Sequence, residues 1–585
     1  KRPFPIRLIT LLLLLMFGTG FGISTAQSNT DAAPGDWLVQ HILSDPESLN
    51  PLTANDVTSS RIRELIFNPI LRLHPETLEL QPQLAVRRPD ISDDKLTYTF
   101  TIRRDAHFQD GKPLTAHDVL FTLKVTKNPW VNAPFRRVYF QSIIAADLID
   151  DYTIRFVAKE PYFRNERILG GLQALPRHYY DPQGLLSELS ITQLDAMQPE
   201  AAESSPETEK ARQFADHFNK SFSRNPMGSG PYIFKHWKTG QEIILHRDPN
   251  YWGMGKAGID QPYIDKRVLR VMNNKDAALV ALKAGELDLM ALQPLQHRRQ
   301  TNNKRFRKQY DKHEFSSPAY TYIGWNNDHP IFRDKRVRQA MTHMTNREQM
   351  VKSILFGLGT LVDGPVYVFR PEYDKTLYSH PYDPPKALQL LGEAGWKDSD
   401  GDGILDKVID GKKTPFRFEI KFNSGNDVRK SVALTLQDEL KRHGIDAQVR
   451  QLDWTIYLDQ VRSHQFDAIV LGWKMPVGAP DGYQVWHSSQ SANRGSNAIS
   501  FKNARADALL EENRRTFDAQ KRMELYREFQ QILNEEQPYT FLFAPQAVLA
   551  VHKRFHNVKI YPDGPVYVQW WVPKEQQKYQ AMLAH

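Results

Sequence analysis

The chain has 585 residues, a formal net charge of +8 and no cysteine. The absence of cysteine excludes disulfides, thiolate catalysis and cysteine-ligated metals. A chain of this length exceeds what one hydrophobic core supports, so we expect two or three domains. Basic and acidic residues are interspersed without a nucleic-acid-binding motif, so nucleic acid is not an expected partner.

The first 26 residues have the pattern of a secretory signal peptide. A basic start precedes an apolar run from Leu8 to Phe17, and small residues then lead to Ala26. The run is much shorter than the roughly 20 residues of a membrane-spanning helix, which favours cleavage after Ala26 over a permanent anchor. We therefore predict an exported protein. Because no cysteine is available for a lipid anchor, the predicted location is the periplasm.

The N-terminal half contains one well-marked strand and helix pair. Residues Thr97 to Arg103 alternate as a strand does, and Thr115 with Asp118 forms a capping box at the start of a helix. Farther on, residues 187–224 are polar and helix-prone, which predicts an insertion at the surface.

Motifs of enzymes are missing. The chain has no His-Glu-x-x-His, no phosphate-binding loop and no Gly-x-Ser-x-Gly. The segment Gly228-Ser229-Gly230 resembles a nucleophile turn, but Pro231 and the strand-like residues after it do not allow the helix that such a turn requires. We interpret its glycines as serving a chain crossing between domains. No catalytic residue and no cofactor are predicted.

Four aspartates surround the glycines of a short segment after residue 397. Asp398, Asp400, Asp402 and Asp406 could supply oxygen ligands to a hard cation such as Ca²⁺. An EF-hand loop would have Glu at its twelfth position, where this chain has Ile409. Turn-forming residues between a helix and a strand explain the segment without a metal, and this is the interpretation we favour, with calcium as the alternative.

Residues 416–473 give the clearest structural pattern. Strand-like and helix-like segments alternate in the order βαβαβ, which predicts a parallel sheet covered by helices. The segments are a strand over Phe416–Phe422, a helix after Asp427, a strand over Ile445–Val449, a helix after Asp453 and a strand over Phe466–Leu471. Upstream of this unit, further helices begin at Asp334 and at Asp383.

Ligands of parallel sheets bind beyond the carboxyl ends of the strands. Trp473, Asp481 and Tyr483 follow the predicted strand Phe466–Leu471 and offer an indole, a carboxylate and a phenol to a ligand. Two alternatives are a core position for Trp473 and a simple turn role for Asp481.

Two other segments also combine polar or aromatic side chains that could contact a ligand. Trp325 and Asn326 follow the strand-like segment Tyr320–Ile323, and a polar loop contains Arg494 and Asn497. We include all four as candidate ligand-binding residues. A core position for Trp325 and a solvated loop around Arg494 are the alternatives.

Several blocks together resemble the solute-binding proteins of ABC transporters, in the family of the dipeptide- and oligopeptide-binding proteins (family 5). The resemblance covers about residues 36–575, and its most recognisable stretch runs from Phe108 to Val119. The other blocks are Thr97–Asp105, Gly228–Tyr232, Arg247–Trp252, Ala281–Asp288, Phe332–Ala340 and Tyr382–Leu388.

The resemblance implies an α/β, two-lobed periplasmic-binding-protein fold with an extra domain inserted in the first lobe. Lobe I is expected from residues 36–78, 225–315 and 541–585, the extra domain at 79–224 and lobe II at 316–540. The implied function is to capture a peptide or other small solute and to deliver it to the permease subunits of an ABC importer. A monomer without catalytic activity is expected.

The sequence departs from the family near Trp473. Relatives often place an Asp shortly after that Trp to hold the α-ammonium of a peptide, whereas this chain has Lys474, Met475 and Pro476. Asp481 could take over that role. An oligosaccharide receptor of the same fold and a secreted hydrolase are the two alternative functions.

Overall fold

The computed structural model describes residues 32–199, 205–259, 261–475 and 478–579. The predicted signal peptide, residues 1–26, lies outside the described residues. Within them, no helix is long and apolar enough to cross a lipid bilayer.

The strands are β1 (Trp37–Ile42), β2 (Leu71–Leu73), β3 (Leu80–Pro82), β4 (Asp90–Ile91), β5 (Thr97–Thr101), β6 (Ile143–Asp150), β7 (Thr153–Ala158), β8 (Tyr232–Lys238), β9 (Glu242–Arg247), β10 (Lys266–Val271), β11 (Leu289–Ala291), β12 (Tyr310–Ser316), β13 (Ala319–Trp325), β14 (Gly359–Leu361), β15 (Asp406–Ile409), β16 (Lys412–Pro415), β17 (Arg417–Asn423), β18 (Asp446–Leu452), β19 (Ala468–Lys474), β20 (Tyr539–His552), β21 (Ile560–Tyr561) and β22 (Gly564–Pro565).

The α-helices are α1 (Val57–Ile66), α2 (Ala116–Lys127), α3 (Pro134–Phe140), α4 (Asn165–Gly170), α5 (Arg177–Tyr180), α6 (Ile191–Ala196), α7 (Pro206–Ser221), α8 (Lys275–Ala284), α9 (Lys304–Gln309), α10 (Lys335–His343), α11 (Arg347–Ser353), α12 (Pro384–Glu393), α13 (Asp427–Lys441), α14 (Trp454–Arg462), α15 (Tyr483–Trp486), α16 (Ala504–Arg515) and α17 (Ala519–Glu536). Short π or 3₁₀ turns occur at Gln296–Gln300, Ser488–Ser491, Tyr567–Gln569 and Lys574–Gln576.

The main sheet has two halves that share strand β20. The strand order is β18-β17-β19-β13-β20-β11-β1-β10-β9-β8, with β12 and β14 also paired to β20. The first residues of β20, Tyr539 to Phe543, pair with β13, whereas Gln546 to His552 pair with β12. The connection from β12 to β13 also passes between the halves. In the described chain, these two segments link one half to the other.

The predicted βαβαβ unit forms one end of this sheet. Strands β17 and β18 are parallel, and β17 is also parallel to β19, as the alternating pattern predicted. The local boundaries differ slightly from the prediction. Asn426 rather than Asp427 caps α13, since its side chain accepts a hydrogen bond from the backbone of Arg429. The last strand runs on to Lys474 because it stays paired with β13 to that residue.

A separate antiparallel sheet, β4-β5-β7-β6, lies next to α2 in the N-terminal half. The predicted capping box of Thr115 and Asp118 is present at the start of α2. Phe100 and Phe156 of this sheet are buried in a core that also includes Trp252. The sheet lies within residues 79–224, and the boundaries of that extra domain stay a prediction.

The helix α7 corrects the expectation of a surface insertion at 187–224. Ser205 caps it, and its residues Phe214 and Phe218 are buried in a shared core with Tyr180 and Tyr232. Apolar residues at helical spacing give α7 an inward face despite its polar composition. The segment is therefore packed into the protein along one side.

The glycines of the Gly228-Ser229-Gly230 segment allow a close contact with the end of α1. A Cβ atom at Gly230 would lie 2.5 Å from the carbonyl carbon of Ile66, and one at Gly228 would lie 2.3 Å from the carbonyl oxygen of the same residue. The backbone nitrogen of Gly230 donates a hydrogen bond to that oxygen over 2.7 Å. Close packing thus explains the segment, and Ser229 is buried beside it.

We predict that Gly230→Ala lowers the free energy of unfolding by about 2 kcal/mol, because the backbone of Ile66 cannot move away from the added methyl group. The matched control is Gly392→Ala in α12, where a Cβ atom meets nothing within 4 Å. This control should raise stability by about 0.5–1 kcal/mol. Urea unfolding curves check both, and equal stability of the two variants would contradict the packing argument.

Candidate ligand-binding site

A cavity of about 830 Å³ lies between the two halves of the main sheet. Helix α1 with strands β1 and β10 forms one wall, and α14 with the end of β19 forms the other. The C-terminal segment from Tyr561 to Val568 closes part of the rim. The volume lies within the range of roughly 300–1,000 Å³ that is typical of small-ligand sites.

Two of the residues predicted for the site line this cavity, Trp473 and Arg494. Trp473 lies on β19 rather than beyond it, and its indole nitrogen donates a hydrogen bond to Tyr539 Oη over 3.3 Å. Arg494 Nη2 lies 2.6 Å from Asp459 Oδ1, with both side chains more than half exposed. The indole is thus held in the wall, whereas Arg494 lies at the solvent-facing rim.

Trp325 and Asn326 lie in the core instead of at a ligand surface. Trp325 is fully buried, packs against Phe332 and donates its indole N–H to Thr540 Oγ1 over 3.1 Å. Asn326 donates from its side chain to the backbone oxygen of Phe466 over 2.9 Å. Because these partners already satisfy both polar groups away from the cavity, the alternative of a core position holds for Trp325.

Asn497 and Tyr483 also lie away from the cavity. The Asn497 side chain bonds to the backbone of Phe501 in both directions and is fully buried, so it fixes the loop from inside. The Tyr483 ring stacks on His487 at 4.0 Å and has the Arg514 guanidinium 3.8 Å from its centroid. The sequence could not show these contacts because the partners become neighbours only through the fold.

Asp481 lies in a buried ionic cluster at a contact with the N-terminal half. Arg514 Nη2 lies 2.8 Å from Asp481 Oδ2, and Tyr162 donates its hydroxyl to the same oxygen. The Asp481 side chain is 1% exposed. Burial by itself raises the pKa of Asp481, but the charges of Arg514 and Arg164 and the hydrogen bonds outweigh it and hold the pKa below its ordinary value. These contacts favour a structural role, and pairing with a ligand ammonium stays a prediction.

The aspartate-rich segment forms a turn with a lysine beside it. Ligand atoms of Asp398, Asp400 and Asp406 lie within 4.8 Å of one another, and Asp402 is not in this group. Lys413 forms ion pairs with Asp400 and Asp406. Both oxygens of Asp398 accept hydrogen bonds from backbone N–H groups of the turn. A lysine ammonium thus supplies the positive charge, which agrees with the favoured turn interpretation; calcium binding stays an untested alternative.

Glu64 and Arg267 are among the charged cavity residues that sequence reasoning missed. Glu64 lies on α1, where its spacing resembles an ordinary solvated helix face, and Arg267 lies within a strand of mixed composition. Glu64 has an exposed side chain that opens to the cavity, yet loss of water to the surrounding protein is the main reason why its pKa is raised, with Lys474 acting in the opposite direction. Only the fold, which brings α1 opposite β19, could identify these residues.

Ion pairs and hydrogen bonds connect the two walls around the cavity. Lys474 Nζ lies 2.8 Å from Asp563 Oδ1, and Arg462 pairs with Glu47 at another point of the cleft. Lys474 and Arg462 belong to one half of the sheet and their partners to the other. These contacts hold the two halves together in this structure, and they would have to break if the cleft opened.

Comparisons with known proteins agree with this architecture. The family model described as bacterial extracellular solute-binding proteins, family 5 Middle, matches residues 79–495. The chain belongs to this family. The oligopeptide-binding protein AppA of Bacillus subtilis is 30% identical over 589 residues, which cover 98% of this chain and 100% of that protein.

Solved structures show the same fold. The structure of B. subtilis AppA in complex with a nonapeptide matches with a TM-score of 0.80 over 93% of this chain and 100% of that one. The structure of NikZ from Campylobacter jejuni in complex with Ni(L-His) has 24% identity and a TM-score of 0.75, over 92% and 100%. The chain is thus a family 5 solute-binding protein with the two-lobed α/β fold, and the cavity lies where the lobes meet.

We predict that Asp481→Asn lowers the free energy of unfolding by about 3 kcal/mol, because it leaves the Arg514 guanidinium without its counter-charge. Asp459→Asn, which breaks the exposed pair with Arg494, is the control and should change stability by less than about 1 kcal/mol. Urea unfolding measures both. If Asp481 instead held a ligand ammonium, its variant would bind free and N-acetylated peptides equally, which calorimetry would reveal.

Proposed function

We propose that this protein is the periplasmic receptor of an ABC importer, that it binds peptides in the cavity between its lobes, and that it presents them to the permease as a closed monomer. The cavity between the two halves of the sheet is the observation that carries the proposal. It is large enough for a small ligand and is lined by residues of both halves. A relative that matches almost the entire chain is named an oligopeptide-binding protein.

The chemistry of the cavity suits a peptide. A free peptide has a positive end, a negative end and a series of amide donors and acceptors. Glu64 supplies a carboxylate for which the described chain provides no hydrogen-bond or ion-pair partner, and Arg267 supplies a guanidinium. Gln83 is buried in the cavity wall with an unpartnered carbonyl oxygen that can accept from an amide. Trp473 and Tyr322 add aromatic surface for side chains.

Glu64 is our candidate for the group that holds the peptide ammonium. The Glu64 side chain is open to the cavity, but the protein around the cleft withdraws enough water to raise its pKa, and an ammonium at this position would supply a counter-charge. The family position next to Trp473 cannot do this, since Lys474 there is itself cationic and already pairs with Asp563. The acid for the ammonium would then come from α1 in lobe I.

Opening and closing would take place at the two connections between the lobes. We propose a hinge at the short connection from β12 to β13 and at the middle of β20, close to the boundaries of 316 and 540 expected for lobe II. A hinge of this kind lets each half of the sheet move as a unit, because within the described residues the chain passes between the halves at these two segments.

The proposal is tested by incubating the immobilised protein with a mixed peptide pool and analysing what is retained by mass spectrometry. Retained and intact peptides support a peptide receptor. Cleaved peptides would indicate a hydrolase, and stabilisation by oligosaccharides without peptide retention would indicate a sugar receptor, whose rings could stack on Trp473. Either of the last two results would overturn the proposal.

We predict that Glu64→Gln weakens the binding of peptides with a free N-terminus by about 10- to 100-fold, because it removes the charge that faces the ammonium. Binding of N-acetylated versions of the same peptides should change by much less. Glu524→Gln, an exposed site on α17, is the control variant. Isothermal titration measures the constants, and an equal loss for free and acetylated peptides would contradict this role.

A further inference from the structure

Arg267 is a buried cation in the wall of the ligand cavity. It lies on β10, two residues before Leu269, so that the two side chains share one face of the strand. Both line the cavity. Only 2% of Arg267 is exposed to solvent. The position is therefore inside the binding cleft and not on the outer surface.

The guanidinium of Arg267 is short of acceptors. Its Nη2 donates a hydrogen bond to Gln40 Oε1 over 3.1 Å, whereas Nε and Nη1 have no hydrogen-bond partner. The rings of Tyr232 and Tyr567 lie 5.8 and 5.5 Å away. No carboxylate of the described residues forms an ion pair with it. A guanidinium has five N–H donors, so most of its capacity is unused.

Another buried arginine of the same protein shows how unusual this is. Arg554 is 5% exposed in its side chain and pairs with two carboxylates, those of Asp36 and Asp288. A buried charge without a partner costs several kcal/mol of stability. Burial accordingly lowers the pKa of Arg267, and only the nearby phenols oppose this effect. Arg63 is also buried without an ion pair among the described residues, but its guanidinium donates to the backbone oxygen of Ala54 and to Ser60 Oγ. Arg267 differs from both arginines because two of its nitrogens have no acceptor.

The cavity as a whole is rich in positive charge. Among the described residues that line it, seven are Lys or Arg and three are Asp or Glu. Two of the three acids are occupied, since Asp563 pairs with Lys474 and Asp56 caps α1. Glu64 is left as the acid that faces the ligand space. Three of the cations are paired as well, Lys474 with Asp563, Arg462 with Glu47 and Arg494 with Asp459. The remaining four arginines still outnumber Glu64, and this excess of positive charge attracts anionic ligands.

We propose that Arg267 binds a carboxylate of the ligand and that the protein thereby selects peptides with acidic groups. Guanidinium and carboxylate match in shape and form paired, charge-assisted hydrogen bonds, which would give Nε or Nη1 the acceptor that the protein lacks. The inference rests on the proposed peptide-binding function. The carboxylate comes either from the C-terminus of the peptide or from an Asp or Glu side chain, and the experiment separates these sources.

The experiment uses three synthetic peptide pools on the full protein. The first pool has free C-termini and all side chains, the second is C-terminally amidated, and the third has Asn and Gln in place of Asp and Glu. Retention of each pool on the immobilised wild-type protein is quantified by mass spectrometry. The same pools are applied to Arg267→Gln and to Arg270→Gln. The control Arg270 lies on the same strand at the opposite face and pairs with Glu286 over 3.6 Å.

We expect the wild-type protein to retain either the second or the third pool about 10- to 100-fold less than the first. The weaker pool identifies the source of the carboxylate. Arg267→Gln should retain all three pools at the same low level, and Arg270→Gln should behave like the wild type. The comparison of pools on the wild-type protein does not depend on whether Arg267→Gln folds.

Two outcomes would overturn the inference, and they differ in what they say about function. Equal retention of the three pools by the wild-type protein would refute a carboxylate preference while peptide binding itself stands. Failure to retain any pool would refute the peptide-binding function and, with it, this inference. Loss of discrimination in Arg270→Gln to the same extent as in Arg267→Gln would also contradict the assignment to Arg267.

Discussion

The continuity of β20 is the constraint on which the rest of the structure depends. A single strand from Tyr539 to His552 supplies hydrogen bonds to β13 in one half of the sheet and to β12 and β11 in the other. Because backbone groups of a buried strand must stay paired, each half has to keep its own section of β20. The two lobes cannot separate beyond what this strand permits. A cleft between them can therefore open without either lobe losing its core.

Burial of charge separates the parts of the molecule that hold the fold from those that face the ligand. Arg554 joins the start of β1 to β11 through Asp36 and Asp288, and Asp481 accepts hydrogen bonds from both Arg514 and the Tyr162 hydroxyl. In these clusters every charged side chain contacts one of opposite sign, which limits the cost of burying it. Glu64 and Arg267 lack one in the cavity. Incomplete pairing thus distinguishes a binding surface from a structural ionic cluster within the same protein.

The helices and strands with a regular hydrophobic periodicity could be predicted from the sequence. The ligand-binding site largely could not. The βαβαβ unit and the capping box of α2 were predicted correctly because local spacing and capping decide them. For Trp325 the sequence allows both a ligand surface and a core position, and in the structure its indole lies in the core beside Thr540. Sequence position after a strand does not reveal which side of the sheet has the ligand.

The charges that we propose to face the ligand come from a different part of the chain than the family pattern suggests. At Lys474, where relatives often have an acid nearby, the ammonium pairs with Asp563 across the cleft. The ligand must then find its counter-charges on lobe I, where α1 carries Glu64 and β10 carries Arg267. Since both residues belong to the same lobe, a peptide can be recognised by its charges before the lobes close. Closure would then add contacts with Trp473 and the ion pairs of the rim. The ligand would thus be selected first by its charges and then by its shape.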